Sequence, residues 1–142
     1  MTTPELNATL QRLDDQIAWY DAKSGANQLR HKLSTYLEFF FAACAAITAW
    51  TAPPVLTACL AGLIVLARGI ASVNQWEQNW VSYRATAESL KHEKYLFLAR
   101  AGPYASDATE NPQRALAERV EGTISREHAA WVSLAEQHRG SA

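Results

Sequence analysis

The feature that most constrains this fold is an uncharged stretch, Phe39 to Ala67, which contains none of the chain's 27 Lys, Arg, Asp and Glu side chains. A Pro53-Pro54 pair divides it near the middle. Proline cannot extend a preceding helix, but it fits the first turn of a new one. The pattern therefore predicts two apolar helices joined by a proline turn, a hairpin over residues 33–73.

The two predicted arms have the length that a membrane requires. Leu33 to Trp50 would form about 27 Å of helix, and Pro54 to Val73 about 30 Å, against a hydrocarbon core of about 30 Å. Tyr36 and Trp50 would occupy its two interfaces. We therefore predict a transmembrane hairpin that contacts the lipid bilayer. The alternative is the buried centre of a soluble oligomeric bundle.

Two charges flank the uncharged stretch at matched positions. Glu38 lies fifteen residues before Pro53, and Arg68 lies fourteen after Pro54, so we expect both at nearly the same depth. Each would either reach separately to the interface or pair with the other. They are our candidate pore or gating residues. Basic residues flank only the outer ends of the arms, which predicts that both termini are cytoplasmic.

The segments on either side of the hairpin show helical periodicity. An N-terminal helix is predicted over 5–32, an extension of the second arm over 74–101 as far as Gly102-Pro103, and a C-terminal helix over 112–138. The expected fold is all-α, one unit over 1–142, in which the transmembrane hairpin continues into a small cytoplasmic helical bundle. The apolar positions behind these assignments are Leu6, Leu10, Leu13, Ile17 and Tyr20; Val73, Trp76, Trp80, Tyr83, Ala87, Leu90, Phe97 and Ala101, with Lys94 as a polar member; and Leu116, Val120, Ile124, Trp131 and Leu134.

Composition and motifs argue against several functional classes. A net charge of -1 and a pI near 6.4 give no basic surface for nucleic acid. Cys44 and Cys59 lie in the apolar arms, where a free thiol behaves as a small hydrophobe. Glu88, His92 and Glu93 lie close together along one helix, and the first two share a face, but such a cluster is usually solvated. Without an activated nucleophile or a phosphate-binding loop, we predict no enzymatic activity, no catalytic residue, no metal and no cofactor.

An aromatic and basic set surrounds the predicted junction of arms and bundle. Such aromatics usually form a core or an interface belt. The alternative is a cage for a small ligand whose phosphate the basic residues would bind. Salt pairing with Glu77 and Glu88 is the favoured role of those cations. The candidate junction, ligand or interface residues are Trp19, Tyr20, Trp76, Trp80, Tyr83, Arg84, Lys91 and Lys94.

Two segments resemble a known family: RLDDQIAWYDAKSGANQ at 12–28, and EQNWVSYRATAESLKHEKYLFLARAGPYA at 77–105. They are similar to SLATT-type two-transmembrane effectors, otherwise catalogued as a domain of unknown function. The resemblance implies a role in bacterial conflict or anti-phage systems at the inner membrane, with a nucleotide-signalling partner protein. The matching positions are Trp19, Tyr20, Lys23, Ser24, Asn27, Gln28, Trp80, Tyr83, Arg84, Glu88, Leu90, Lys91, Glu93, Lys94 and Tyr95.

The expected function combines the hairpin with this resemblance. We predict a homo-oligomeric membrane effector that forms a pore or disrupts the membrane, because one two-helix hairpin cannot enclose a pore. Small residues along both arms would allow close helix packing in lipid. The alternative is a non-conducting membrane anchor or scaffold that recruits a partner through its cytoplasmic helices.

Overall fold

A computed structural model describes residues 3–105 and 108–140, and the side chains of residues 6–105, 108–127, 129 and 132. Within these ranges every regular element is helical. The elements are α1 (Thr3–Thr51), α2 (Pro54–Asn74), α3 (Trp76–Leu98), a 3-10 turn (Gly102–Tyr104) and α4 (Pro112–Gly140). The predicted all-α class is confirmed.

The turn between α1 and α2 forms at the proline pair. The N–H of Ala52 donates to the Thr48 carbonyl at 3.0 Å, which closes the last turn of α1. Pro53 adopts φ -57° and ψ 142°, and Pro54 occupies the first turn of α2, where its missing N–H costs no helical hydrogen bond. Two apolar helices therefore meet at the turn that the sequence predicts.

Helix α1 runs without interruption from Thr3 to Thr51. The predicted N-terminal helix and the first apolar arm are thus one element. The sequence left open whether Gly25 kinks the helix, and the structure shows that it continues. An interior glycine costs roughly 1 kcal/mol relative to alanine, which is not enough to break a helix of 49 residues.

The predicted continuous helix after Val73 is interrupted in the structure. Gln75 adopts the left-handed conformation, φ 49°, between α2 and α3, and its N–H bonds to the Ser72 carbonyl. Asn74 occupies the neighbouring position, and its side-chain amide donates to the Ile70 carbonyl at 2.8 Å. Asparagine competes for helix backbone groups in this way, and apolar periodicity does not reveal it.

The end of α3 also differs in detail from the prediction. Arg100, at φ 50°, takes the left-handed capping position, and the N–H of Ala101 bonds to the Leu96 carbonyl at 3.0 Å. This is the Schellman pattern of helix termination. Gly102 is left-handed as well, φ 57°, but it begins the following 3-10 turn.

The chain divides into two compact units: a core unit (residues 1–22 and 82–142) and a hairpin unit (residues 23–81). The core unit buries one hydrophobic cluster. Asn111 caps α4, because its side-chain oxygen accepts from the Arg114 N–H at 3.1 Å. The side chains of Trp131 and Leu134 lie outside the described residues. The buried members of the cluster are Leu13, Ile17, Tyr20, Ala87, Leu90, Tyr104, Leu116 and Val120.

The hairpin unit has the opposite character, because its apolar side chains face outward. Both helices contain stretches long and apolar enough to cross a membrane. Of the residues in these stretches, 6% are buried in the first and 0% in the second. The exposed large apolar side chains of the two arms include Leu33, Tyr36, Leu37, Phe39, Phe40, Ile47, Trp50, Val55, Leu56, Leu63, Val65, Leu66, Ile70 and Val73.

Candidate functional site

Glu38 and Arg68 approach each other in the hairpin unit. One guanidinium nitrogen of Arg68 lies 3.9 Å from a carboxylate oxygen of Glu38, the outer limit of an ion pair. The Glu38 side chain is 18% exposed and Arg68 is 67% exposed, so the acid lies mainly between the arms. Ser34 donates to Glu38 at 3.5 Å. Of the two arrangements left open by the sequence, the structure shows a loose pair.

A second polar contact joins the arms nearer the turn. The hydroxyls of Thr48 and Thr57 lie 3.2 Å apart, and Thr48 also contacts the Ala45 carbonyl at 3.1 Å. The facing side of the arms therefore carries polar groups at two levels, while the outward side is apolar. In hydrocarbon such hydroxyls are stabilised by bonding across the helix pair or to the helix backbone.

The predicted aromatic residues divide between the two units. Trp19, Tyr20 and Tyr83 form one cluster in the core unit, with ring centroids 4.9 Å to 6.0 Å apart. The Tyr20 hydroxyl donates to Glu127 on α4. Burial, together with this hydrogen bond, raises the pKa of Tyr20. Tyr20 is therefore a packed core residue with a satisfied hydroxyl.

The predicted basic residues of the junction pair with carboxylates of the core unit. Arg84 lies 2.8 Å from Glu88, and Lys91 lies 2.9 Å from Asp21 and 3.3 Å from Glu88. The hydrogen bond to Asp21 raises the pKa of Lys91. Lys94 contacts Asp14. This arrangement favours the salt-pairing role of these cations over phosphate binding.

Trp76 and Trp80 belong to the hairpin unit. The Ser24 hydroxyl donates to the Trp80 carbonyl at 3.0 Å, which joins α1 to the start of α3. The Trp80 indole N–H is buried and has no partner among the described residues. A buried unsatisfied donor costs roughly 1–3 kcal/mol, so this position marks an incomplete polar environment.

Sequence reasoning named Glu93 only as a position that matches the family, and it missed that this acid is buried and strongly bonded in the core unit. Its carboxylate accepts two hydrogen bonds from Arg119, at 2.9 and 2.7 Å, and one from the Tyr104 hydroxyl. Glu93 and Tyr104 are both buried. This three-residue group, the Glu93 network, ties α3 to the 3-10 turn and to α4.

The helical periodicity of α3 did indicate a polar residue on its buried face, but it assigned that position to Lys94 instead of the adjacent Glu93. The prediction placed Lys94 in the buried face of α3, whereas Glu93 lies there, three residues after fully buried Leu90. Lys94 instead reaches outward to Asp14. Buried acids require a cationic or donor partner, and Arg119 supplies it from a helix distant in sequence.

The Glu93 network should make stability pH-dependent. The Arg119 hydrogen bonds, and secondarily the Tyr104 bond, hold the pKa of Glu93 below its ordinary value. Its contribution is therefore complete above the unfolded-state pKa and is lost as the pH falls through the folded-state pKa. We expect Glu93→Gln to lower the free energy of unfolding by about 1–3 kcal/mol at neutral pH. The measurement is denaturant unfolding in detergent between neutral pH and about pH 3.

The matched control for Glu93→Gln is Glu88→Gln, on an exposed face of the same helix. An exposed pair contributes about 0–1 kcal/mol, so its loss should have little effect. As the pH is lowered, the free energy of unfolding should fall less steeply in Glu93→Gln than in the wild type. In Glu88→Gln it should fall as steeply as in the wild type. Equal losses in both variants would contradict a special role for the buried network.

These elements define a class of chain: all-helical, with two helices apolar enough to cross a membrane and a separately packed helical core. The chain matches a family model described as a protein of unknown function, DUF4231, over residues 15–112, and it belongs to that family. The predicted membership of a domain-of-unknown-function family is therefore confirmed. No curated protein and no solved structure matches the chain.

Proposed function

We propose that this protein is a bacterial inner-membrane effector whose hairpins insert, associate as homo-oligomers and permeabilise the membrane, with both termini in the cytoplasm. The SLATT-type resemblance supplies the role in anti-phage or conflict systems and the nucleotide-signalling partner protein. The observation that carries the proposal is the outward apolar surface of the hairpin unit. That surface is too large for a stable water-facing protein without a lipid or protein cover.

Lipid is the cover that the arms fit best. Their backbone hydrogen bonds are satisfied within the helices, as hydrocarbon requires. The uncharged stretch extends across the turn, so no ionic side chain would rest at the hydrocarbon centre. Trp50 is 93% exposed at the turn and fits the aromatic belt of a membrane interface.

Association in the membrane is supported by small residues on the outward surface. Such residues let helix backbones approach closely in lipid, where packing drives association. The facing polar groups, Glu38 with Arg68 and Thr48 with Thr57, would line a conducting path only after the arms rearrange between copies. Exposed small residues on the two arms are Ala42, Ala43, Ala46, Ala58, Ala61 and Gly62.

Release of a trapped dye from liposomes tests permeabilisation. We expect wild-type protein to release dye with a steep dependence on the protein-to-lipid ratio, because several hairpins must assemble. Glu38→Gln should retain insertion but change the rate of dye release, since it removes the charge of the acid that lies between the arms.

Flotation of the same liposomes separates failure of insertion from failure of conduction. Protein that floats with the vesicles and is cross-linked into oligomers, but releases no dye, would contradict the pore. That outcome would favour the non-conducting anchor. A groove of about 630 Å³ on the core unit, lined in part by Leu6, Phe97, Arg100 and Tyr104, supports this second candidate as a surface for recruiting a partner.

A further inference from the structure

A small pocket of about 210 Å³ lies within the hairpin unit. This volume is below the roughly 300–1,000 Å³ of pockets for drug-sized ligands and suits a compact polar group. Its lining combines two basic side chains, one acid and uncharged hydrogen-bonding groups. The lining residues that matter here are His31, Arg68, Ser72, Gln75, Glu77 and Gln78.

The charged side chains of this pocket have unused bonding capacity. Arg68 reaches Glu38 only at 3.9 Å, beyond hydrogen-bonding distance, and its guanidinium carries five N–H donors. Within the described part of the chain, the imidazole of His31 and the carboxylate of Glu77 have neither an ion-pair nor a hydrogen-bond partner. The pocket thus offers donors for an anion and an acceptor for a cation.

The position of the pocket along the arms matches the edge of a hydrocarbon core. Arg68 and Ser72 lie about 21 and 27 Å of helix from Pro54, and His31 lies about 33 Å from Pro53. These distances bracket the roughly 30 Å thickness of the hydrocarbon region. With the turn at one membrane surface, the pocket would lie at the headgroup level of the other.

The helical turn that follows the pocket also contains unsatisfied polar atoms. The side-chain oxygen of Asn79 and the indole N–H of Trp80 are buried and unpartnered among the described residues. Asn79 continues the same turn, because its backbone N–H donates to the Gln75 carbonyl at 2.9 Å. These two atoms lie within one helical turn of the pocket lining and are left without a hydrogen-bond partner among the described residues.

We propose that the pocket binds the headgroup of a phospholipid that carries a primary ammonium, with the phosphate at Arg68 and His31 and the ammonium at Glu77. The proposal rests on the proposed membrane insertion. A guanidinium fork suits phosphate oxygens, and a carboxylate accepts hydrogen bonds from a primary ammonium. A choline headgroup has no N–H to donate, and a glycerol headgroup has hydroxyl donors but no cation, so only the primary ammonium offers Glu77 a charge-assisted hydrogen bond.

Binding of defined lipids to the full-length protein tests this pocket. The protein is reconstituted in vesicles of phosphatidylcholine alone, or with phosphatidylethanolamine or phosphatidylglycerol added, and retention of each labelled lipid is measured after detergent extraction. We expect saturable retention of phosphatidylethanolamine, weakened about tenfold or more by Arg68→Gln. Glu77→Gln should abolish the preference for ethanolamine over choline while phosphate-dependent binding persists.

Arg84→Gln is the matched control, since Arg84 is an exposed arginine of the core unit, and it should retain lipid like the wild type. Equal retention by wild type and Arg68→Gln would overturn the site. Equal retention of choline and ethanolamine lipids by the wild type would overturn the role of Glu77.

Soluble probes distinguish a lipid headgroup from free phosphate as the ligand. They also test the pocket when the protein does not insert into vesicles. Phosphoethanolamine and inorganic phosphate are titrated against protein in detergent, with tryptophan fluorescence as the readout. A saturable fluorescence change on adding phosphoethanolamine, lost in Arg68→Gln, supports the pocket even if flotation shows that the protein does not insert. If the protein floats with the vesicles but shows neither lipid selectivity nor a response to phosphoethanolamine, the pocket is overturned and the proposed insertion still stands.

Discussion

Replacing Val65 with lysine should weaken the proposed insertion of the hairpin into the membrane. Val65 lies about 16 Å along α2 from Pro54, near the middle of a hydrocarbon core, and its side chain is 71% exposed. A lysine at a helix centre costs about 2.5–3.5 kcal/mol on insertion, a shift of roughly 100-fold in the equilibrium. The measurement is the fraction of protein that stays with membranes after alkaline extraction.

The same substitution separates a lipid-facing hairpin from a water-facing one. If the exposed surface of α2 met water, lysine at position 65 would be tolerated and would improve solubility. Val132→Lys is the control, because Val132 is also exposed, at 59%, but belongs to α4 of the core unit. Unchanged membrane retention of Val65→Lys would contradict insertion of this arm.

Replacing Leu90 with alanine should destabilise the core unit by about 2–5 kcal/mol. Leu90 is 0% exposed within the hydrophobic cluster, so truncation removes buried apolar surface and leaves a cavity. The measurement is thermal or denaturant unfolding in detergent, followed by near-ultraviolet circular dichroism. A loss of this size is a large part of the stability of a typical domain.

Leu98→Ala controls for the chemistry of the change. Leu98 belongs to the same helix but is 60% exposed, so the same truncation should alter stability by about 0.5 kcal/mol or less. Similar losses in both variants would show that Leu90 does not occupy the core that the structure assigns to it.

The sequence predicted the helices of this chain well where the signal is local. Pro54 begins α2 because a proline in the first turn needs no donor, and that rule requires no knowledge of tertiary structure. Counting residues from the turn placed Glu38 and Arg68 at nearly equal depth, which works because two helices joined by a short turn keep a common rise per residue. Leu13, Ile17 and Leu90 fell on a helical stripe and are buried.

Predictions from the sequence failed where burial or conformation depends on partners distant in sequence or on the backbone angles of a single residue. Tyr104 reads as a loop residue, but it is buried in the hydrophobic cluster, where its hydroxyl donates a hydrogen bond to Glu93. Arg100 and Gln75 adopt left-handed conformations that no propensity for arginine or glutamine favours. For Glu93, the partner Arg119 lies on α4, and periodicity within α3 carries no information about it.

The candidate site shows the same division. Counting placed Glu38 and Arg68 at matched depth but left their contact open, and the charge pattern of α3 anticipated the pairing of Arg84 with Glu88. Of the predicted junction residues, Trp19 and Tyr83 belong to the core unit and Trp76 and Trp80 to the hairpin unit. Membership of a compact unit depends on the contacts of whole helices, and periodicity along one helix cannot supply it.

The proline turn also determines which polar groups would have to lose their water when the hairpin crosses a bilayer. Pro53 and Pro54 present no N–H groups, and the Thr51 hydroxyl already donates to the Ile47 carbonyl at 3.0 Å. With Thr48 and Thr57 bonded to each other, the leading end carries little that must be dehydrated. The cost of threading this tip through hydrocarbon therefore falls chiefly on a few turn carbonyls, because there are no charges to strip of water.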